Sequence, residues 1–220
     1  MKLEGIVLFS TEYKESSKIV NLYTPLGKMS VIAKGALNPK KGFLGFITTG
    51  NIVSFVTTDT NIKSLTEYSL LKTSFDINSS LELINVFSNI MEIIKLIPDD
   101  IDHKRAYEFI KMILLNLNNN KNPKKLLSIF LIKMLYIFGV APNLKSCVLC
   151  GNNNVVSFSI AHGGALCNNC SNNDSSYLKI WQEYYYDKKD LDLYSDTDFP
   201  KLLKNIKDYY NFHMGIELKI

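Results

Sequence analysis

Outside one short window, the 220-residue chain contains no cysteine; all four lie between Cys147 and Cys170. A disulfide framework is therefore not what holds the protein together, and a chain of this length can bury an adequate core without one. Arginine is nearly missing as well, since Arg105 is the only one. Bidentate gripping of phosphates or carboxylates is thus largely excluded, and cationic contacts fall to lysine, a point charge on a flexible stem. No apolar run reaches the roughly 20 residues a membrane-spanning helix needs. The most apolar stretch, LLSIFLIKMLYIFGVA from Leu126 to Ala141, contains Lys133, which would cost about 3 kcal/mol at the bilayer centre. It reads as a buried core helix, and no membrane partner is expected. The opening MKLEGIVLFSTEYK has an apolar run too short for a signal-peptide core, so the expected compartment is the cytoplasm.

Catalytic motifs are also lacking. GALNPKKG carries glycines and lysines but neither the Gly-Lys-Ser/Thr ending nor the helix start of a phosphate-binding loop. No zincin helix, nucleophile elbow or deaminase His-x-Glu signature is found. His103 and His213 are isolated in sequence from each other and from acidic clusters. An enzyme is not expected.

What is present begins with the cysteines. CVLC and CNNC form two Cys-x-x-Cys knuckles separated by sixteen residues, the spacing with which two turns aim four sulfurs at one tetrahedral ion. Cys147, Cys150, Cys167 and Cys170 are the expected ligands of one structural zinc ion. Four thiolates close the coordination sphere, leaving no position for water or substrate. His162, between the knuckles, is then expected on a turn or at the surface. Glycine and asparagine around each knuckle suit tight turns, and VVSFSIAHGGAL between them reads as a hairpin, so the window describes a zinc ribbon.

Hydrophobic residues make up 46% of the chain and charged residues 21%, the profile of an ordinary globular protein. The first eighty residues read as strands: EGIVLFSTEY, SKIVNLYT, KMSVIAKGA, NIVSFVTT and SLTEYSLLKTSF are rich in Val, Ile, Thr, Tyr and Phe and punctuated by Gly, Pro, Asn and Lys. Five short strands without a helix-length periodic segment predict a small antiparallel barrel whose closure removes exposed edges, with the OB-fold as first choice. Helical periodicity follows. SSLELINVFSNIMEIIKLI carries a capping box, Ser79 with Glu82, and a face of Leu81, Ile84, Phe87, Met91 and Ile94. A second helix follows Asp102, and a third starts with Asn122 as N-cap and Pro123 at N1. These three are expected to pack as a bundle. Phe109, Met112, Phe130, Met134 and Phe138 fall at core spacing. SSYLKIWQEYYY and FPKLLKNIKDYYNFHMGIELKI read as closing helices, joined by an exposed acidic connection, DKKDLDLYSDTDF. The expected fold class is α+β and multidomain: a five-stranded OB-fold barrel over residues 1–78, then an α-helical domain over 79–220 with a Cys₄ zinc ribbon inserted at 145–172.

Net charge is +4 overall but uneven: +3 over residues 1–80, +3 over 81–145 and −2 over 146–220. Within residues 1–42, seven lysines face three acids, a field that attracts phosphates. Here Lys14, Lys18, Lys28, Lys34, Lys40 and Lys41 are interleaved with Tyr13, Tyr23 and Phe43, combining charges for a backbone with rings on which bases stack. On an OB-fold the oligonucleotide face lies on strands 2 and 3 and the adjoining loops, where Tyr13, Lys14, Lys18, Tyr23, Lys28 and Lys34 are expected. The alternative for Tyr23 is barrel core, and for the lysines, solvated surface.

The opening GIVLFSTEYKESSKIVNLYTPLGKMSVIAKGA together with the CVLC and CNNC knuckles resembles the RecO family of bacterial recombination mediators, over essentially the whole chain and in the same order of parts. The resemblance implies a non-enzymatic protein of the RecF pathway that binds single- and double-stranded DNA and anneals complementary strands. It further implies partnership with RecR, contact with the acidic C-terminal tail of SSB, and help in loading RecA, in the bacterial cytoplasm at the nucleoid. The basic barrel surface would correspond to the six lysines above. The SSB-tail contact would fall in the basic helical part, with Arg105 and Lys111 as candidates. Relatives commonly have arginine after the KGA segment, where this chain has LNPKK, so binding is expected to be more salt-sensitive. The competing reading is an OB-plus-ribbon scaffold for protein contacts, with DNA binding incidental.

Overall fold

The computed structural model describes residues 2–74, 80–119, 122–171, 177–186 and 199–219. Ser79 and the acidic connection at 187–198 lie outside the described residues. The chain divides into two compact units, residues 1–120 and 121–220.

In the first unit, the β-rich opening forms β1 (Lys2–Tyr13), β2 (Ser17–Thr24), β3 (Gly27–Ala33), β4 (Ile52–Thr57) and β5 (Leu65–Lys72), joined antiparallel in the order β3-β2-β1-β4-β5. The two edges meet where the Ile32 amide donates to the Lys63 carbonyl at 2.9 Å, beside a parallel bridge between Ile32 and Ser64. That contact closes the sheet into the expected OB-fold barrel. Alternation along β2 and β3 sends Val20, Leu22, Val31 and Ala33 inward, where they meet Val7, Val53, Phe46 and Phe55. Phe46 comes from a single turn, α1 (Leu44–Ile47), which plugs the barrel with its ring edge-on to Phe55 at 5.7 Å. Buried Asn51 ties this plug to the end of β5: its Nδ2 donates to the Gly45 carbonyl at 2.8 Å, and its Oδ1 accepts from the Ser74 amide at 2.8 Å.

Two helices complete this unit, α2 (Leu81–Lys95) and α3 (His103–Asn116). Ser80, not Ser79, caps α2, its Oγ accepting from the Leu83 amide at 3.2 Å. The buried face also differs from the expected one: Leu83, Val86, Ile90 and Ile93 join Met91 and Ile94, while Leu81 is 80% exposed. Asp102 caps α3 as expected, accepting from the Arg105 amide at 3.1 Å. Met112, expected in the core, is exposed. Helices α2 and α3 group with the barrel, whereas the helix that starts after Asn122 belongs to the second unit. The physical reason lies on the outer barrel wall, where Ile6 and Tyr23 need cover; Tyr107 of α3 packs 6.4 Å from the Tyr23 ring, and its hydroxyl donates to Glu4 at 2.7 Å.

The second unit is organised by α4 (Pro123–Ile137), which begins at its expected cap, the Asn122 Oδ1 accepting from the Lys125 amide at 3.0 Å. Residues 125–132, Met134 and Leu135 are all buried, and Lys133 directs its ammonium to the Tyr185 carbonyl, so the apolar stretch is a core helix. Against it lie α5 (Leu178–Tyr186) and α6 (Phe199–Met214), the latter through a Tyr210 hydroxyl bonded to the Leu131 carbonyl at 2.7 Å. Between α4 and α5 the chain forms a hairpin of β6 (Val155–Ser159) and β7 (Gly164–Cys167). Among the described residues, no helix is long and apolar enough to cross a membrane.

Candidate nucleic-acid interface and metal centre

The strand register decides which basic residues share a surface. Lys18 lies opposite Ala33 and Glu12, so Lys18, Lys34 and the β1–β2 turn carrying Lys14 occupy one end of the barrel. The segment after β3 folds back to that end, with the Leu37 amide donating to the Ser16 carbonyl at 3.0 Å and the Gly35 amide to Ser17 Oγ at 3.4 Å. A short 3₁₀ turn at 39–41, capped by Asn38, brings Lys40 and Lys41 into the same region, where the Lys41 stem lies against Gly35. Lys14, Lys18, Lys34, Lys40 and Lys41 therefore gather at one end. Glu12 and Glu15 stand among them, leaving a positive surplus. The Lys14 ammonium sits 5.2 Å from the centroid of the Tyr13 ring, and its backbone is left-handed, with φ 55°.

Two expected members of the interface are placed elsewhere. Tyr23 is fully buried beneath α3, its hydroxyl 3.1 Å from His103 Nδ1; burial first and the Asp102 charge second push its hydroxyl well above the ordinary tyrosine range. A ring so covered cannot stack on a base; Tyr23 is buried, though between the outer wall and α3 and not in the barrel core as the alternative reading had it. Lys28 lies opposite Tyr23, five ladder steps from the Lys18–Ala33 rung, about 17 Å at roughly 3.3 Å per residue. It pairs with Asp99 at 3.6 Å instead of joining the other five lysines. Of the two helical candidates, Arg105 is exposed, whereas Lys111 is held by Glu4 at 2.5 Å.

The structure also contains a pocket that sequence reading missed, on the outer wall of β1–β3, with Phe9, Asn21, Ser30 and Lys95 among its lining residues. Nothing in the alternation of β1 foretells it, because Phe9, one of its lining residues, follows an irregularity in the ladder between Val7 and Phe9.

At the ribbon, the four Sγ atoms of Cys147, Cys150, Cys167 and Cys170 lie within 4.8 Å of one another. All four are free thiols, and the Cys150–Cys167 separation of 3.5 Å is far beyond a disulfide bond. Each knuckle is wound by its own amides: Gly151 donates to the Cys147 carbonyl at 2.9 Å, and Ser171 to the Cys167 carbonyl at 2.9 Å. The Cys167 amide, with those of Leu149 and Cys150, holds the Cys147 thiol down to about 6. Cys170 is pushed up to about 12 by its hydrogen bonds to the Cys150 and Cys167 thiols. Cys150 also rises, despite the Asn152 amide, because it shares hydrogen bonds with Cys167 and Cys147. Crowded sulfurs resist accumulating negative charge, and a cation among them removes that resistance. The donor set fits a soft or borderline metal ion such as zinc. His162 stays on the β6–β7 turn, its Nδ1 3.0 Å from Ser159 Oγ, and takes no part in the cluster.

A sequence-family model described as Recombination protein O N terminal matches residues 1–74, and another described as Recombination protein O C terminal matches residues 79–186. The curated DNA repair protein RecO of Halalkalibacterium halodurans is 28% identical over 233 residues, covering 99% of this chain and 91% of that protein. The DNA repair protein RecO of Bacillus cereus strain AH187 is 27% identical over 234 residues, covering 99% and 94%. With both halves matched and relatives aligned along almost its full length, the chain belongs to the RecO family of DNA repair proteins.

Proposed function

We propose that the protein is a DNA-binding recombination mediator that anneals complementary strands and acts with RecR and SSB to load RecA, without enzymatic turnover. The observation that supports this most directly is the gathering of Lys14, Lys18, Lys34, Lys40 and Lys41 at one end of an OB-fold barrel. Lysine ammonium groups neutralise phosphates without reading sequence and release condensed counterions. Two strands held on such a surface repel each other less, so complementary bases can search for register while both remain bound. No proton transfer or covalent step is required.

Zinc is the proposed occupant of the four-cysteine cluster. When bound it would supply only a fixed tetrahedral anchor for the two knuckles, since four thiolates leave no open position for chemistry. The acidic tail of SSB is proposed to meet the helical residues near Arg105; Lys111 becomes available to it only by leaving Glu4.

The test is an equilibrium titration of labelled single strands across a salt series, with strand annealing measured in the presence and absence of SSB. Replacing Lys14, Lys18 and Lys34 together by alanine removes up to three phosphate contacts, so the slope of log affinity against log salt should flatten by about 2. These positions lie outside the core, and unfolding free energy should shift by no more than about 0.5 kcal/mol each. An unchanged slope would move the interface off this end of the barrel.

A further inference from the structure

We propose that the pocket on the outer wall of β1–β3 receives one unstacked base of a bound single strand, an inference that rests on the DNA-binding reading above. Its defining feature is a break in the β1 ladder: Val7 lies opposite Leu22 but Phe9 lies opposite Asn21, leaving Leu8 as an extra residue. Strict alternation would send Phe9 inward with Val7. The bulge turns it outward instead, a re-aiming such irregularities commonly perform beside functional sites, and Phe9 is 39% exposed where a buried position was due.

What surrounds that ring suits a nucleobase. Asn21 and Ser30 face each other across β2 and β3, and Ser30 Oγ donates to Asn21 Oδ1 at 2.7 Å. The Asn21 amide hydrogens remain as donors for a base carbonyl, and the Ser30 oxygen as an acceptor. Met29 contributes apolar lining, and the cavity measures about 270 Å³, below the roughly 300–1,000 Å³ of sites that take drug-sized ligands. Lys28 and Lys95 line it too, the Lys95 ammonium 5.8 Å from the Phe9 centroid. Their carboxylate partners, Asp99 and Glu92, are 87% and 71% exposed; such pairs are weak and salt-screened, so a phosphate can displace them. A stacking ring, a donor–acceptor couple and two cations at one cavity match a nucleotide within a strand, base inward and phosphates toward the lysines.

Duplex DNA, whose bases are already stacked, cannot use this pocket, which makes the ratio of single-strand to duplex affinity the informative quantity. Titrations would use an oligothymidylate, an abasic strand of equal length and a duplex, with the intact protein and the Phe9→Ala and Phe9→Tyr variants. Phe9→Ala should lower that ratio by about tenfold, the scale of one lost base–ring stack. Phe9→Tyr, which keeps a ring, should preserve it, and the abasic strand should show no dependence on Phe9. The proposal is overturned if the ratio is the same in all three proteins, or if thymidine monophosphate alone binds as tightly as the strand and with the same dependence on Phe9. Failure of the intact protein to bind any DNA would instead overturn the DNA-binding reading, and this inference with it.

Discussion

The barrel and the ribbon solve the same problem of holding short strands together by opposite means. Nine buried side chains, from Val7 to Phe55, form a continuous core inside the barrel. The ribbon's own buried cluster is Cys147, Leu166 and Cys167, so two of its three members are also metal-ligand candidates. A hairpin with so little apolar burial is marginal in water. The barrel thus holds its shape through apolar burial, whereas the ribbon relies on sulfur chemistry and on a neighbour: Phe158 stacks on Trp181 at 4.7 Å, and His213 Nε2 lies 2.6 Å from the Ile160 carbonyl. The lesson is that substitution tolerance should differ sharply between the two regions.

The largest break in that contrast should come from Cys147→Ser or Cys170→Ser. Structural zinc in small modules supplies on the order of 10 kcal/mol of apparent folding free energy, so either change should abolish stoichiometric metal and open residues 145–172 to protease. The barrel's β signal in circular dichroism should persist. Full metal retention would contradict the ligand assignment. Acidification should act in the same direction. Cys150 and Cys170 are raised by hydrogen bonds among the neighbouring thiols, so metal binding releases at least their protons, and affinity should weaken by about two log units or more per unit fall in pH near neutrality. A competition titration with a chromophoric chelator at several pH values measures this.

Next in size is Trp181→Ala, which removes a fully buried ring and its hydrogen bond to Asn205 Oδ1 at 2.6 Å. A loss of about 3–5 kcal/mol is expected, read by denaturant unfolding, with metal binding weakened less than by the cysteine changes. Smaller still is Gly50→Ala in the barrel. An added Cβ would lie 2.2 Å from Phe87 Cζ, at a backbone φ of +83°, and should cost about 1–3 kcal/mol. Metal content should be unaffected. If Gly50→Ala released metal as readily as Trp181→Ala, the two regions would not be separable in the way their cores suggest.

Much of this was legible in sequence where the cause is local. Strand positions follow from β-branched and aromatic runs between turn residues. Asp102 and Asn122 announced their helices because an N-cap acts only three residues away. The cysteine spacing carried its geometry within one window. What escaped was set by distant packing. Tyr23 points outward by alternation, as an interface ring should, yet α3 arrives some eighty residues later to bury it. The buried face of α2 is ambiguous in sequence because apolar residues stand on adjoining faces, Leu81, Ile84 and Phe87 beside Leu83, Val86 and Ile90, and only the surface packed against the helix decides between them. The outward aim of Phe9 is not legible in sequence because a bulge is a property of two strands in register, and no single strand reveals it.

Lys14 carries a consequence of another kind. Its left-handed backbone, the single such non-glycine residue among those described, strains the turn at the very tip where charge is wanted; for a lysine that posture costs about 1–2 kcal/mol. Asparagine tolerates it better, so Lys14→Asn should make the protein harder to unfold and, at the same stroke, poorer at holding a phosphate. Robustness and grip are opposed at one residue, and a screen for heat resistance would drift away from function there.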